Sequence, residues 1–225
     1  MRLSERLVKE TARDYAIRTL RDNIVSLELR PGCMVSENEL AMEMGLSRTP
    51  VREALIELSK SGIVEIYPQH GSMVSRIDYD QVEEATFMRR VLETAVVEDA
   101  CSVVDNDGIR LLEDNLSLQD LYLAKGDTSK LMELDNEFHR HLFSICKKLL
   151  SYRLMHSLTA HFDRVRQLSL AAVKNIRIVE DHHAILAAIA KRDAEAAKAA
   201  METHLTRYKF DKSAIREKYA DYFKE

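Results

Sequence analysis

A chain of 225 residues, 46% hydrophobic and 31% charged, has enough apolar material for one large folded domain or two smaller ones and lacks the composition of a disordered protein. Its net charge of -4 gives no bulk attraction to nucleic acid, and Cys33, Cys101 and Cys146, far apart and forming no CxxC, suggest neither a disulfide framework nor a cysteine-rich zinc site. The N-terminal segment interleaves charges with apolar residues, and no later run approaches the roughly 20 apolar residues that span a bilayer, so the expectation is a cytoplasmic protein with no membrane partner.

In chain order, Tyr15, Ala16, Ile17, Leu20, Ile24 and Leu27 recur at helical spacing, predicting a first helix from Ala12 to Leu27 that Pro31-Gly32 ends. Ser36 with Glu39 three residues on is a capping box for a short helix, Glu37 to Met44, closed by Gly45. A further helix starts at once in SRTPVREALIELSKSG. Ser47 or Thr49 caps it, Pro50 is tolerated in its first turn, and Val51, Ala54, Leu55 and Leu58 form its apolar stripe before Gly62. Two short helices around a Gly-Leu-Ser turn are a helix-turn-helix, and the strands IVEIY and SMVSRI around PQHG read as a hairpin wing.

From Asp78 the strand signals stop. Helical periodicity runs over Tyr79 to Val104, Ile109 to Ala124, Ser129 to Lys147, Leu150 to Leu170, Ile178 to Lys191 and Ala194 to Phe210. The fold class is therefore mainly α: an N-terminal winged helix-turn-helix over residues 1–77 and an all-helical bundle over residues 78–225.

Residues 1–75 hold 10 Lys/Arg against 11 Asp/Glu, so affinity for DNA must come from where the charges sit. Arg48 and Arg52 lie four residues apart on the face opposite the apolar stripe, where two guanidinium forks reach guanine edges or phosphates in a major groove. Thr49 adds a hydroxyl for a phosphate. The competing reading is that Arg52 pairs with Glu39, Glu53 or Glu57 and only solubilises the helix. His70 and Gly71 stand at the wing tip.

The run MGLSRTPVREALIELSKSGIVEIYPQHGSMVS resembles the winged-helix domain of the GntR family of bacterial transcription regulators, and SRTPVREAL is highly specific for it. The remainder, from Arg89-Val91-Leu92-Glu93 through DNEFHRHL and EDHHAILAAIAKRDAEAAKAAMETHL, is similar to the helical FCD-type effector-binding and dimerisation domain of the FadR-type subgroup. The resemblance implies DNA contacts at Ser47, Arg48, Thr49, Arg52, His70 and Gly71. The wing departs from the subgroup at His70, where arginine is frequent.

Asp135 and His139, at i,i+4 beside Leu134, Phe138 and Leu142, are either a half-solvated pair or two metal ligands aimed at one pocket. Projection at 100° per residue puts His182 on the same side as Ile178, Val179, Ile185, Leu186 and Ile189, with His183 about 100° away. In the last helix Ala197, Met201, Leu205 and Tyr208 define the inner face, and His204 falls within it. Buried histidines need partners for both ring nitrogens, and several in one small domain are satisfied together by a cation. The set Asp135, His139, His182 and His204 also coincides with the subgroup's metal-binding pattern. His141, His156, His161 and His183 fall outside it and read as surface residues or as residues supporting the ligands.

The site so read takes a divalent cation, zinc first with nickel or manganese as alternatives, leaving open positions for a small carboxylate. Arg89, Arg164 and Arg166 are the candidates to hold that anion, against the reading that they are ordinary surface arginines. The expected function is a repressor that binds a palindromic operator as a homodimer and responds to an organic acid, with no enzymatic activity. Two other readings remain open: a metal-dependent hydrolase using the same ligands, and a DNA-binding protein in which the metal is only a staple. A di-iron site fits less well, since only Glu180-x-x-His183 matches its motif.

Overall fold

The computed structural model describes residues 1–172 and 177–224. Helix α1, Ala12–Val25, starts at Thr11, whose hydroxyl accepts from the Asp14 backbone N–H, and it buries Tyr15, Ala16, Leu20 and Ile24. Helix α2, Glu37–Met44, is capped by Ser36 and ends at Gly45 in the left-handed region, φ 65°, the conformation a helix C-terminus asks of glycine. Helix α3, Arg48–Lys60, follows; Ser47 is its N-cap residue but its side chain makes no capping bond. Val51, Ala54, Leu55 and Leu58 face the small core built with α1.

The wing is β2, Val64–Tyr67, antiparallel to β3, Gly71–Val74, in the register Val64↔Val74 to Tyr67↔Gly71. A third strand, β1, Met34–Val35, pairs with the other edge of β3, giving the order β1-β3-β2. Two residues are too short for a period-2 pattern, so β1 left no signal in the sequence.

The bundle begins at Asp78, which caps α4, Tyr79–Val103. It continues through α5, Asn106–Lys125; α6, Thr128–Ile145; α7, Leu149–Ser157; α8, Ala160–Ala172; α9, Ile178–Ala190; α10, Ala194–Thr206; and α11, Tyr208–Lys218. Helix α10 lies along α4 and α9, and α5 packs on α6 and α9, around a core that includes Val97, Leu112, Phe138, Ile185, Ile189 and Met201.

Two helices differ from expectation. The stretch Leu150 to Leu170 is not one helix: it breaks at Leu158-Thr159 into α7 and α8. The break has no glycine or proline; Thr159 stands at it, and its hydroxyl donates to Asp163 Oδ2 at 3.0 Å. The stretch Ala194 to Phe210 divides at Arg207, and helix continues to Lys218. The Tyr208 side chain lies outside the described residues.

Helix α8 joins the two domains. Its Ala160 belongs to the winged-helix core, while Phe162, Val165 and Leu168 pack with Ile77, Val82, Ile215 and Phe223 at the seam. The chain's last strand-like contact is there too: Ile77 N–H donates to Tyr222 O at 2.7 Å and Lys224 N–H to Ile77 O at 2.9 Å.

Candidate metal centre and nucleic-acid interface

The candidate nucleic-acid interface is the simpler of the two sites. Ser47, Arg48, Thr49 and Arg52 are exposed at the start of α3, and His70 and Gly71 are exposed at the wing tip. Arg48, Arg52, Glu37, Tyr67, His70 and Gly71 line one concave surface between α2, α3 and the wing. Gly71 has φ 100°, which frees the turn from Cβ strain. Among the described residues it is Arg48, and not Arg52, that has an acidic partner: its Nε lies 2.5 Å from Glu37 Oε2.

The bundle centre is built from burial. Asp135, His139, His182 and His204 are all buried, and one ligand atom from each lies within 4.8 Å of all the others. Helix α6 supplies the first two, one turn apart on its inner face, and α9 and α10 supply the others. The half-solvated reading of the Asp135–His139 pair is thereby excluded. Projection also sorted the neighbours correctly: His182 is buried and His183 is exposed, beside Asp120 at 3.0 Å.

The outward nitrogens of the imidazoles face acceptors. His182 Nδ1 lies 2.8 Å from Gln119 Oε1, and Gln119 is itself oriented, its Nε2 donating to Asn115 Oδ1 at 2.6 Å, while Asn115 Nδ2 donates to Leu134 O at 3.1 Å. Facing a carbonyl, Nδ1 must carry the proton, and the Nε2 lone pair then points inward. His139 Nδ1 meets Glu93 Oε2, which favours the same tautomer there, while His204 Nδ1 lies 3.8 Å from Asp181 Oδ2, beyond hydrogen-bond reach.

Inward, the nitrogens meet one another and the aspartate. His139 Nε2 is 3.0 Å from His204 Nε2, His182 Nε2 is 3.6 Å from Asp135 Oδ1, and His139 Nε2 is 3.9 Å from Asp135 Oδ2. Two nitrogens about 2.1 Å from one zinc ion can be at most about 4.2 Å apart, so these spacings fit a common ion. At 3.0 Å the His139 and His204 nitrogens either share a proton, one donating and the other accepting, or both turn lone pairs to one cation. Among the described residues, His182 Nε2 and Asp135 Oδ1 are buried without a hydrogen-bond partner. Burial lowers the pKa of His139 and His182 and brings that of His204 to about 3, so all three present the neutral, ligating form. The residues fit a divalent cation.

Beside the cluster a small cavity, with room for about one water at most, is lined by Arg89, Asn136, His139, Tyr152, Asp163 and Arg166. Arg89, Arg164 and Arg166 are all buried, which rules out ordinary surface arginine. Only two of them belong to this site. Arg89 Nε is 2.6 Å from Glu93 Oε1, and Arg166 contacts Asp135 and places Nη1 3.1 Å from Asp163 Oδ1. Arg164 instead turns to the winged helix, where Nη1 donates to Ser75 O at 2.6 Å. Spacing along α8 could not distinguish Arg164 from Arg166, because nearly every position of this helix is buried and its two sides face different domains.

His161 likewise stands neither on the surface nor behind the ligands. Its Nδ1 accepts from the Asp78 backbone N–H at 3.0 Å and lies 2.9 Å from Arg164 Nη2, and Nε2 is 3.2 Å from Gly62 O, so it fills the seam between the domains. His156 and His141 are half-buried. Sequence reasoning missed Glu93, Gln119 and Asp181 as supports of the ligands. Asn115 and Gln119 did carry a signal, two amides set into the stripe of Leu112 and Leu116.

The matches to known proteins cover both regions. Residues 13–74 match the family model of "Bacterial regulatory proteins, gntR family", and residues 84–207 match the FCD domain model. The HTH-type transcriptional repressor RspR of Escherichia coli K12 is 35% identical over 209 residues, 92% of each chain. An HTH-type transcriptional regulator from an unstable DNA locus of Streptomyces ambofaciens is 37% identical over 190 residues, 83% of this chain and 78% of that one. In fold, the chain is similar to E. coli McbR/YncC, with a TM-score of 0.80 at 20% identity over 95% of this chain and all of that one.

Proposed function

Starting from the premise that this chain belongs to the GntR family of bacterial regulatory proteins and carries an FCD domain, we propose that it is a metal-dependent, carboxylate-responsive repressor. Its relatives are DNA-binding transcription regulators and not enzymes, which sets the hydrolase reading aside.

The observation that carries the proposal is the convergence of three buried imidazoles on Asp135, with His182 and His139 oriented from behind by Gln119 and Glu93. A divalent cation held there supplies an electrophilic centre with positions open to a carboxylate oxygen. The surrounding charge suits an anion once that cation is in place. Glu93, Asp135 and Asp163 against Arg89 and Arg166 leave one net negative charge, which a divalent ion converts to one net positive charge. Arg166 and Arg89, backed by the Phe162 ring at 5.8 and 4.8 Å, give the anion its forked donors.

At the other end, Arg48 and Arg52 read the major groove, with Ser47, Thr49, His70 and Gly71 against the backbone. Arg48 must leave Glu37 to do so, an exposed pair that costs little to open. A homodimer on a palindromic operator in the cytoplasm places two such helices about 34 Å apart or a multiple of that distance.

Elemental analysis of zinc-loaded, dialysed protein tests the metal. His182→Ala and His204→Ala are expected to lose most of the cation, while His141→Ala and His183→Ala keep it. Equal content in all four variants overturns the reading. Gel shifts on DNA upstream of the chain's own gene, with and without small di- and tricarboxylates, test the response, which is expected to vanish in His204→Ala. A response that survives there makes the metal a staple.

A further inference from the structure

Arg21 lies on α1, in the winged helix, yet its side chain reaches into the bundle. Its Nη2 donates to His156 O at 2.6 Å and lies 4.0 Å from Asp163 Oδ2. Asp163, on α8, is 2% exposed; its Oδ2 accepts from the Thr159 hydroxyl at 3.0 Å and its Oδ1 from Arg166 Nη1 at 3.1 Å. The other terminal nitrogen of Arg166 contacts Asp135, a member of the ligand cluster. One buried carboxylate thus hydrogen-bonds a guanidinium that touches the cluster and lies at ion-pair distance, without a hydrogen bond, from a guanidinium of the DNA-binding domain.

We propose that Arg21, Asp163 and Arg166 form an ionic relay through which the cluster and the winged helix each sense the state of the other. The proposal rests on the reading of Asp135 as a metal ligand. Its direction follows from competition for charge. Arg166 turns one terminal nitrogen to Asp135 and the other to Asp163 and to the neutral Asn136 Oδ1 at 3.0 Å, so Asp135 and Asp163 are the two charges that compete for it. When Asp135 turns its charge to a metal, Arg166 leans on Asp163, and Asp163 relaxes its hold on Arg21. When an anion at the cluster engages Arg166, Asp163 loses that share of its compensation and draws Arg21 in, seating α1 more firmly on α8. Burial makes the competition strong, because water does not screen the charges on Asp163 and Arg166.

Linkage requires the effect to run backwards as well, so a substitution in the winged helix must alter zinc affinity. Without Arg21, Asp163 takes a fuller share of Arg166 and frees Asp135 for the metal. Zinc affinity is read by competition with a chromophoric chelator on the full-length chain. Arg21→Gln is expected to bind zinc about fivefold more tightly than wild type. Arg21→Lys, which keeps the charge, is expected to stay near wild type. In an Asp163→Asn background, Arg21→Gln is expected to add nothing, since the intermediary is gone. Should Asp163→Asn fail to fold, the Arg21→Gln and Arg21→Lys pair still decides. Arg21→Gln binding zinc as wild type does, or its effect persisting without Asp163, overturns the relay while leaving the metal site standing. A wild-type protein that binds no zinc overturns both.

Discussion

The exposed start of α3 and the centre of the bundle both carry charged side chains, but they hold them in opposite environments. Arg48 and Arg52 stand in water, and the partner that one of them has, Glu37, is part of an exposed surface pair. The bundle buries Glu93, Asp135, Asp163, Asp181, Arg89 and Arg166 together with three histidines whose ring nitrogens converge. The first arrangement leaves charge free for a partner that arrives from solvent, at almost no cost to folding. The second pays a desolvation penalty that pairing only partly returns, and among the described residues His182 Nε2 and Asp135 Oδ1 stay without a hydrogen-bond partner, as atoms able to hold a cation do. Polar residues point to function in both regions, by exposure in one and by incomplete satisfaction in the other.

This contrast breaks down if the two regions respond alike to mutation. The largest expected effect is in the bundle. Glu93→Ala leaves the buried Arg89 guanidinium without its carboxylate, and urea unfolding should show a loss of about 3–5 kcal/mol. A loss below about 1 kcal/mol means the bundle holds its charges no more tightly than the surface does.

Next comes the recognition face, where stability and binding should separate. Arg48→Ala and Arg52→Ala are each expected to weaken operator binding by about 1–3 kcal/mol while changing folding stability by less than about 0.5 kcal/mol. Gel shifts paired with the same urea titration supply both numbers. Unchanged operator affinity in both variants removes the DNA-reading role of α3.

The smallest effect is graded with pH and lies in the seam between the two regions. Burial, reinforced by Arg164, lowers the His161 pKa from 6.5 to about 3. The unfolded chain therefore takes up a proton near pH 6.5 that the folded chain refuses until about pH 3, so the stability from neutral His161 is present above pH 6.5 and is lost as pH falls towards 3. Protonation would also destroy the acceptor that receives the Asp78 N–H and faces Arg164. In metal-free protein the unfolding midpoint should fall between pH 6.5 and 5, and His161→Gln should flatten the slope by up to about 1.4 kcal/mol per pH unit. Parallel profiles for the two proteins place the acid sensitivity elsewhere.

Local signals carried much of this molecule. Ser36, Gly45 and Gly62 delimit α2 and α3, the alternation in IVEIY and SMVSRI makes the wing, and the run SRTPVREAL marks the family, because capping, turn chemistry and periodicity act over a few residues and leave their trace there. The four cluster members were legible for the same reason: a histidine or aspartate on an apolar helix face is anomalous within its own turn.

What surrounds them was decided only in three dimensions. Gln119 became the support of His182, and Glu93 that of His139, through contacts across 63 and 46 positions of the chain, which no window of the sequence contains. Arg164 and Arg166 are two residues apart and chemically identical, yet one grips the wing and the other the cluster, because α8 is buried on both sides and presents each side to a different domain. His161 and Asp163 acquired their partners from that same orientation, which the break at Leu158-Thr159 sets. A sequence fixes which faces a helix offers; which neighbour each face meets depends on how the helices pack, and here that packing joins the ligand cluster to the DNA-binding domain.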